Sequence, residues 1–166
     1  MSAEKKKQMG VLGLIVALVV VLFGGVLFVG AASGWFDNTK VVLDAEYICK
    51  ETCDEELMDL DVAGYEGMTT AKKTSVIFVD QNGCTTADRL RGFIMDYARE
   101  KGIKVNKIMF EQVKETSLHD NVKYYPSVVI LNKGNVIGWL KADSDEDAEA
   151  YNNYDAFKAW MGKYLE

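Results

Sequence analysis

The sequence predicts an α/β domain built on one mixed sheet flanked by helices, preceded by one N-terminal transmembrane helix. Three observations predict it. Residues 9–32 form an unbroken apolar run. From residue 61 onward, apolar stretches of strand length alternate with helical periodicity in the order α-β-α-β-α-β-β-α. The chain's single proline, Pro126, opens a β-branched run that ends in a tight turn. Crossover helices combined with a terminal hairpin imply a mixed sheet covered on both faces.

The apolar run exceeds the ~20 residues that span a bilayer as a helix. Val29-Gly30-Ala31 resembles a signal cleavage site. A signal peptide, however, has an apolar region of only ~7–15 residues, and no lipid-accepting cysteine follows. Length therefore favours an uncleaved anchor. Lys5, Lys6 and Lys7 precede the run and Asp37 is the first charge after it. The positive-inside rule puts the N-terminus in the cytoplasm and the rest outside. Trp35 and Phe36 fall where interfacial aromatics anchor such a helix. The expected organisation is a cytoplasmic tail (1–8), a transmembrane helix (9–33), a juxtamembrane extension (34–56) and a folded domain (57–166). The protein is thus expected in the cell membrane as a single-pass chain with its C-terminal domain outside.

The chain carries 19 Lys/Arg against 25 Asp/Glu. All but Lys5, Lys6, Lys7 and Glu4 lie beyond residue 36, so the outer part is more acidic than the net −6 of the whole. That argues against a nucleic-acid partner and against an electrostatic hold on anionic lipid. No phosphate loop, hydrolase elbow or paired-carboxylate motif is present, and no cofactor is expected.

Each outer element has a local reason. Lys40-Val41-Val42-Leu43 has strand character after the linker. Asp61 to Met68 suits a short helix, weakened by Gly64 and Gly67. Ser75-Val76-Ile77-Phe78-Val79 is a buried strand, and Asp80-Gln81-Asn82-Gly83 is turn-like. A helix starts near Cys84, with Thr85 or Thr86 as its cap. Leu90, Phe93, Ile94, Tyr97 and Ala98 form its apolar stripe, and Lys101-Gly102 ends it. Val105 to Phe110 is a strand and Val113 to Asn121 a short helix. Two strands around Asn132-Lys133-Gly134-Asn135 make a hairpin. Asp155 to Leu165 closes the chain as a helix, with Phe157, Trp160, Met161 and Tyr164 on one face.

Three cysteines, Cys49, Cys53 and Cys84, lie on the outer side, where disulfides persist. Cys49 and Cys53 have three readings. They form a local disulfide, a redox-active pair, or part of a metal site to which only His119 could add a nitrogen. One of them could also act as a remote resolving partner for Cys84. A cysteine opening a helix gains from the free amides and the macrodipole, which favour a thiolate. The bland alternative is a small buried hydrophobe. His119 reads as a helix-end or surface histidine, with a base for Cys84 as the alternative. Asp143-Ser144-Asp145-Glu146-Asp147-Ala148-Glu149 has the alternating acids of a calcium loop. Ala148 replaces the turn glycine and Tyr154 the bidentate glutamate, so no metal is expected there.

Residues 57–166 resemble the thioredoxin-like family. The resemblance rests on the strand Ser75–Val79 running into Cys84 at a helix start, on Tyr125-Pro126-Ser127 at a strand start, and on the hairpin through Asn132-Lys133-Gly134 before a closing helix. It implies a cis bond before Pro126. It also implies a groove in which Tyr125 and Pro126 bind an extended substrate beside Cys84, the nucleophile, during thiol–disulfide exchange on protein clients. The chain departs from the family's Cys-x-x-Cys. The stretch is Cys84-Thr85-Thr86-Ala87, with Ala87 where the resolving cysteine would be and Gly83 where a tryptophan is usual. The family's buried acid falls at Phe78, with Asp80 two residues later. The expected activity is monothiol exchange resolved from outside the motif; the alternative is a redox-inactive binding or accessory module.

Overall fold

A computed structural model of the protein describes residues 40–50 and 57–166. Among them, strands Leu57–Asp59 (β1), Ser75–Asp80 (β2), Val105–Met109 (β3), Ser127–Asn132 (β4) and Asn135–Trp139 (β5) form one sheet in the order β1-β3-β2-β4-β5. β1 and β2 run parallel to β3, whereas β4 is antiparallel to both β2 and β5. The mixed sheet expected from the element order is therefore present. Helices Val62–Thr70 (α1), Thr85–Lys101 (α2), Phe110–Val113 (α3) and Tyr154–Met161 (α4) accompany it, with 3-10 turns at Ala45–Tyr47, Ser117–Asp120 and Ala148–Tyr151.

β2 and β4 lie at the centre of the sheet. Every residue of β2 is buried, and so are the first five of β4. Their runs of Val, Ile, Phe and Leu carry no polar alternation because both sheet faces are covered. The α2 stripe packs Leu90, Ile94, Tyr97 and Ala98 into this core, and α4 adds Phe157, Trp160 and Met161. The Phe157 ring meets Tyr97 edge-on, with centroids 6.0 Å apart. At the hairpin, Lys133 and Gly134 both have positive φ, 50° and 79°. Two such residues make the mirror-image turn that suits the twist of paired strands. The backbone oxygen of Thr69 would lie 2.4 Å from a Cβ at position 134, so only glycine fits.

Several expectations change. Leu57–Asp59, just ahead of the helix expected from Asp61 and assigned no element from the sequence, is an edge strand. Its three residues pair one-for-one with Val105, Asn106 and Lys107, a non-local contact that leaves little trace in so short a run. Lys40–Leu43 is not a strand of the sheet; Val41 alone makes an isolated bridge to Leu165. The helix expected over 113–121 is divided between α3 and the 3-10 turn at Ser117–Asp120. Thr116 divides it: its hydroxyl donates to the Val113 carbonyl and accepts from the Leu118 N–H, replacing helical bonds with local ones. The closing helix ends at Met161 rather than Leu165.

Residues 40–50 belong to the same compact unit as the sheet, although they were read as part of an extension. Leu43 and Tyr47 are buried in the common core. The Cys49 N–H donates to the Gly102 carbonyl and the Lys104 N–H to the Tyr47 carbonyl, both at 2.8 Å. The expected tail and membrane span, together with residues 34–39, lie outside the described residues. Among the described residues no helix is long and apolar enough to cross a membrane.

Candidate functional site

Cys84 ends the turn after β2 and is the N-cap of α2, in place of the expected Thr85 or Thr86. Its backbone is extended (φ −107°, ψ 115°), and its carbonyl accepts the first helical bond from Asp88 N–H at 3.0 Å. No side chain caps this helix, whereas Asp61 caps α1 and Asn153 caps α4 through their side-chain oxygens. The first amides of α2 are thus left without a side-chain acceptor. Gly83 precedes Cys84 at φ +71°. A bulky residue such as the tryptophan of the resemblance would be strained there.

Cys84 is half-buried and a free thiol. It shares a cleft of about 320 Å3 with Tyr125 and Pro126, and the Tyr125–Pro126 peptide bond is cis, as the resemblance implied. The structure therefore brings together the three residues singled out for thiol chemistry and substrate binding. Tyr125 is held from two sides. Its ring lies 5.6 Å from that of Phe110, and its hydroxyl donates to the Val122 carbonyl at 3.2 Å. Burial pushes its phenol above the ordinary value. His119 Nδ1 lies 3.1 Å from the Tyr125 hydroxyl. His119 does not line the Cys84 cleft, so its contact with the site runs through Tyr125.

The opposite wall was not expected. Ala142, Ala148, Tyr151 and Asn152 line the cleft, all from the segment between β5 and α4. The Tyr151 hydroxyl lies 2.9 Å from both the Pro126 and the Leu140 carbonyls, which ties this segment to the start of β4. Its phenol is pushed strongly upward, mainly by burial and further by Asp147 and Asp143. Arg89 of α2 donates to Asn152 from the other side. The acidic run keeps Asp143, Asp145, Glu146 and Glu149 in solvent, but Asp147 is buried and accepts the Lys141 N–H at 2.9 Å. No motif marks Tyr151 in the sequence; its position six residues after Asp145, the second acid of a polar loop, gives no chemical signal.

Beneath Cys84, β2 continues to Asp80, which shares a strand face with Phe78 and is buried. Arg91 reaches it from α2 with Nη2 at 2.7 Å from Oδ1 and Nε at 3.1 Å from Oδ2. The same guanidinium bonds Asp88 at 2.8 Å. The two carboxylates, Asp80 first, hold the Arg91 pKa above its ordinary value. Asp80 is thus an ion-paired strut between β2 and the second turn of α2, not an unpaired buried acid. Ala87 is fully buried. The position that would hold a resolving thiol is therefore packed into the core.

Cys49 is disulfide-bonded, and Cys84 is the free cysteine among the described residues. Cys53 lies outside them. Cys49, being engaged, is not a thiol available to resolve an adduct on Cys84. No group of three His, Cys, Asp or Glu side chains among the described residues is placed to hold a metal ion. A more apolar hollow of about 180 Å3, lined by Val42, Ile48, Tyr97 and Leu165, lies at the other end of α2. Lys101 and Glu166 also line it, and no cysteine does.

No family model matches the chain, and no curated protein matches it. Solved structures do. A mutant thioredoxin from Halobacterium salinarum NRC-1 is similar at a TM-score of 0.52 and 15% identity, over 67% of this chain and 92% of that one. Thioredoxin O2 from Arabidopsis thaliana, in the oxidized state, has a TM-score of 0.52 and 10% identity, over 70% of this chain and all of its own. The reduced Schistosoma mansoni thioredoxin pre-protein has 0.50 and 15%, over 67% and 100%. The sheet and helices of the described residues form a thioredoxin fold, a mixed sheet flanked by helices.

Proposed function

We propose that this protein is a membrane-anchored, extracytoplasmic thioredoxin-fold protein that carries out monothiol exchange on protein clients through Cys84. The observation that carries this reading is the free Cys84 at the uncapped start of α2, in one cleft with Tyr125 and Pro126. The Cys84 thiolate attacks one sulfur of a client disulfide, forming a mixed disulfide and releasing the other client sulfur as a thiolate. A second thiol, from the client or another molecule, then attacks the client sulfur and returns the Cys84 thiolate. The membrane and outward placement rest on the apolar run and on Lys5, Lys6 and Lys7.

Trapping tests the chemistry. Full-length protein with Cys84 intact should yield client adducts that are lost on reduction, and Cys84→Ser should yield none. Equal adduct yields from both proteins would end the reading. A membrane-impermeant thiol reagent added to intact cells should label Cys84; labelling only after lysis would reverse the topology.

A second reading is a redox-inactive binding module that uses the same cleft. It is favoured by the buried Ala87 and by the pairing of Asp80 with Arg91, which together remove the internal second thiol and the unpaired acid. Client capture that survives Cys84→Ser unchanged would select it.

A further inference from the structure

We propose that the recess between Tyr124 and Trp139 is a second subsite of the Cys84 cleft, one that receives a carboxylate side chain of the client close in sequence to its reactive sulfur. The inference rests on the reading of the cleft as a client groove, and adds which neighbouring residue that groove selects.

The recess, about 150 Å3, is walled by Lys123 and Tyr124 before β4 and by Trp139 and Lys141 at the end of β5. It shares Ala142 with the Cys84 cleft, and Tyr124 is bonded directly to Tyr125, so the two hollows are neighbours along one wall. Tyr124 is 57% exposed, one of four large hydrophobic side chains left in solvent among the described residues. Lys141 is already placed. Its ammonium sits 5.4 Å from the Trp139 ring centroid, and its main chain is pinned through the bond to Asp147. Lys123 is exposed and has no ion-pair partner among the described residues. Two lysines therefore line a hollow that one carboxylate, Asp143, also borders.

This local excess of positive charge lies in a chain of net charge −6. A glutamate fits it: its methylenes lie against Trp139 and Tyr124 while its carboxylate meets both lysines. A lysine or arginine from the client would be repelled. An extended client rises ~3.3 Å per residue, and alternate side chains point the same way. Adjacent hollows thus correspond to residues within about three positions of each other.

The test uses full-length protein in detergent micelles and short alanine-based peptides whose single cysteine carries a thiopyridyl leaving group. Cys84 attacks the peptide sulfur and expels thiopyridone, whose release gives the rate. Dithiodipyridine, which has no peptide, supplies the reference rate, and Cys84→Ser reports reaction at the other cysteines. Glutamate is placed in turn at each of three positions on either side of the peptide cysteine. At one or two of them the rate should rise about three- to tenfold over alanine, the range of two partly exposed ion pairs, and lysine there should slow it. The advantage should shrink in high salt. In Lys123→Ala/Lys141→Ala the glutamate advantage should vanish while the alanine peptide reacts as before. A flat scan, or an advantage that survives the double variant, overturns the subsite and leaves the cleft reading standing. A Cys84 inert even to dithiodipyridine removes the thiol reading and the subsite together.

Discussion

The two ends of α2 are finished in opposite ways. At the C-terminal end, Gly102 takes the left-handed conformation (φ 63°, ψ 45°) and its N–H bonds the Ala98 carbonyl. Its own carbonyl is taken by Cys49, and Ile103 pairs with Ile48. The end is closed by glycine, by a neighbouring segment and by basic residues in the last turn, each of which stabilises a helix terminus. At the N-terminal end Cys84 supplies no side-chain bond, and Cys84 and Thr86 line a cleft. α1 and α4 show that this chain caps helices with Asp and Asn elsewhere. The contrast teaches that the start of α2 forgoes a stabilising cap at the place where, among the described residues, the free thiol sits.

The largest effect should come from the strut under the open end. Arg91→Ala leaves the Asp80 carboxylate buried without its partner and should lower unfolding stability by about 2–3 kcal/mol in urea titrations. Asp80→Asn/Arg91→Met should lose less than Arg91→Ala alone; an equal or greater loss would mean the pair does not join β2 to α2 as described. At the closed end, Gly102→Ala forces a side chain into the left-handed region and should cost about 1–2 kcal/mol. Open space surrounds that position, so the loss is one of backbone conformation alone.

Cys84→Ser should go the other way. Serine is a good N-cap, so thermal melting should show a gain of about 0.5–1 kcal/mol even as thiol reactivity disappears. A destabilised Cys84→Ser would mean the thiol packs as a core residue, and the contrast between the two ends would fail.

The smallest effect at neutral pH belongs to Tyr47, whose segment clasps the closed end. Burial, aided by Glu46, pushes its phenol from 10.0 up to about 12. The unfolded chain ionises first, so this contribution is whole below pH 10 and is lost as pH rises through about 12. Tyr47→Phe should flatten the alkaline fall in stability within that window and leave stability at pH 7 nearly unchanged.

Much of this was legible in the sequence, and the rest had physical reasons to be hidden. Local periodicity and turn chemistry sufficed for α2, for the hairpin at Lys133-Gly134 and for the buried runs of β2 and β4, because each is encoded within its own segment. The family resemblance implied a groove joining Tyr125 and Pro126 to Cys84, and the fold places the three in one cleft. The wall from Ala142 to Asn152 was not legible, because an acidic loop reads as solvated whether or not two of its residues, Asp147 and Tyr151, turn inward. β1 was missed because its pairing is entirely with β3. The partner of Asp80 was missed because Arg91 lies two helical turns away and looks like surface charge.

Ala87 sets a clock. With an internal thiol, an adduct on Cys84 would be released by a first-order reaction of the protein itself. With a buried methyl group in that position, release by any thiol other than the client's own is second-order, and its half-life falls as the surrounding thiol concentration rises. An adduct whose client carries no second thiol would therefore last as long as its redox surroundings dictate, and the dwell time would report on the compartment rather than on the protein.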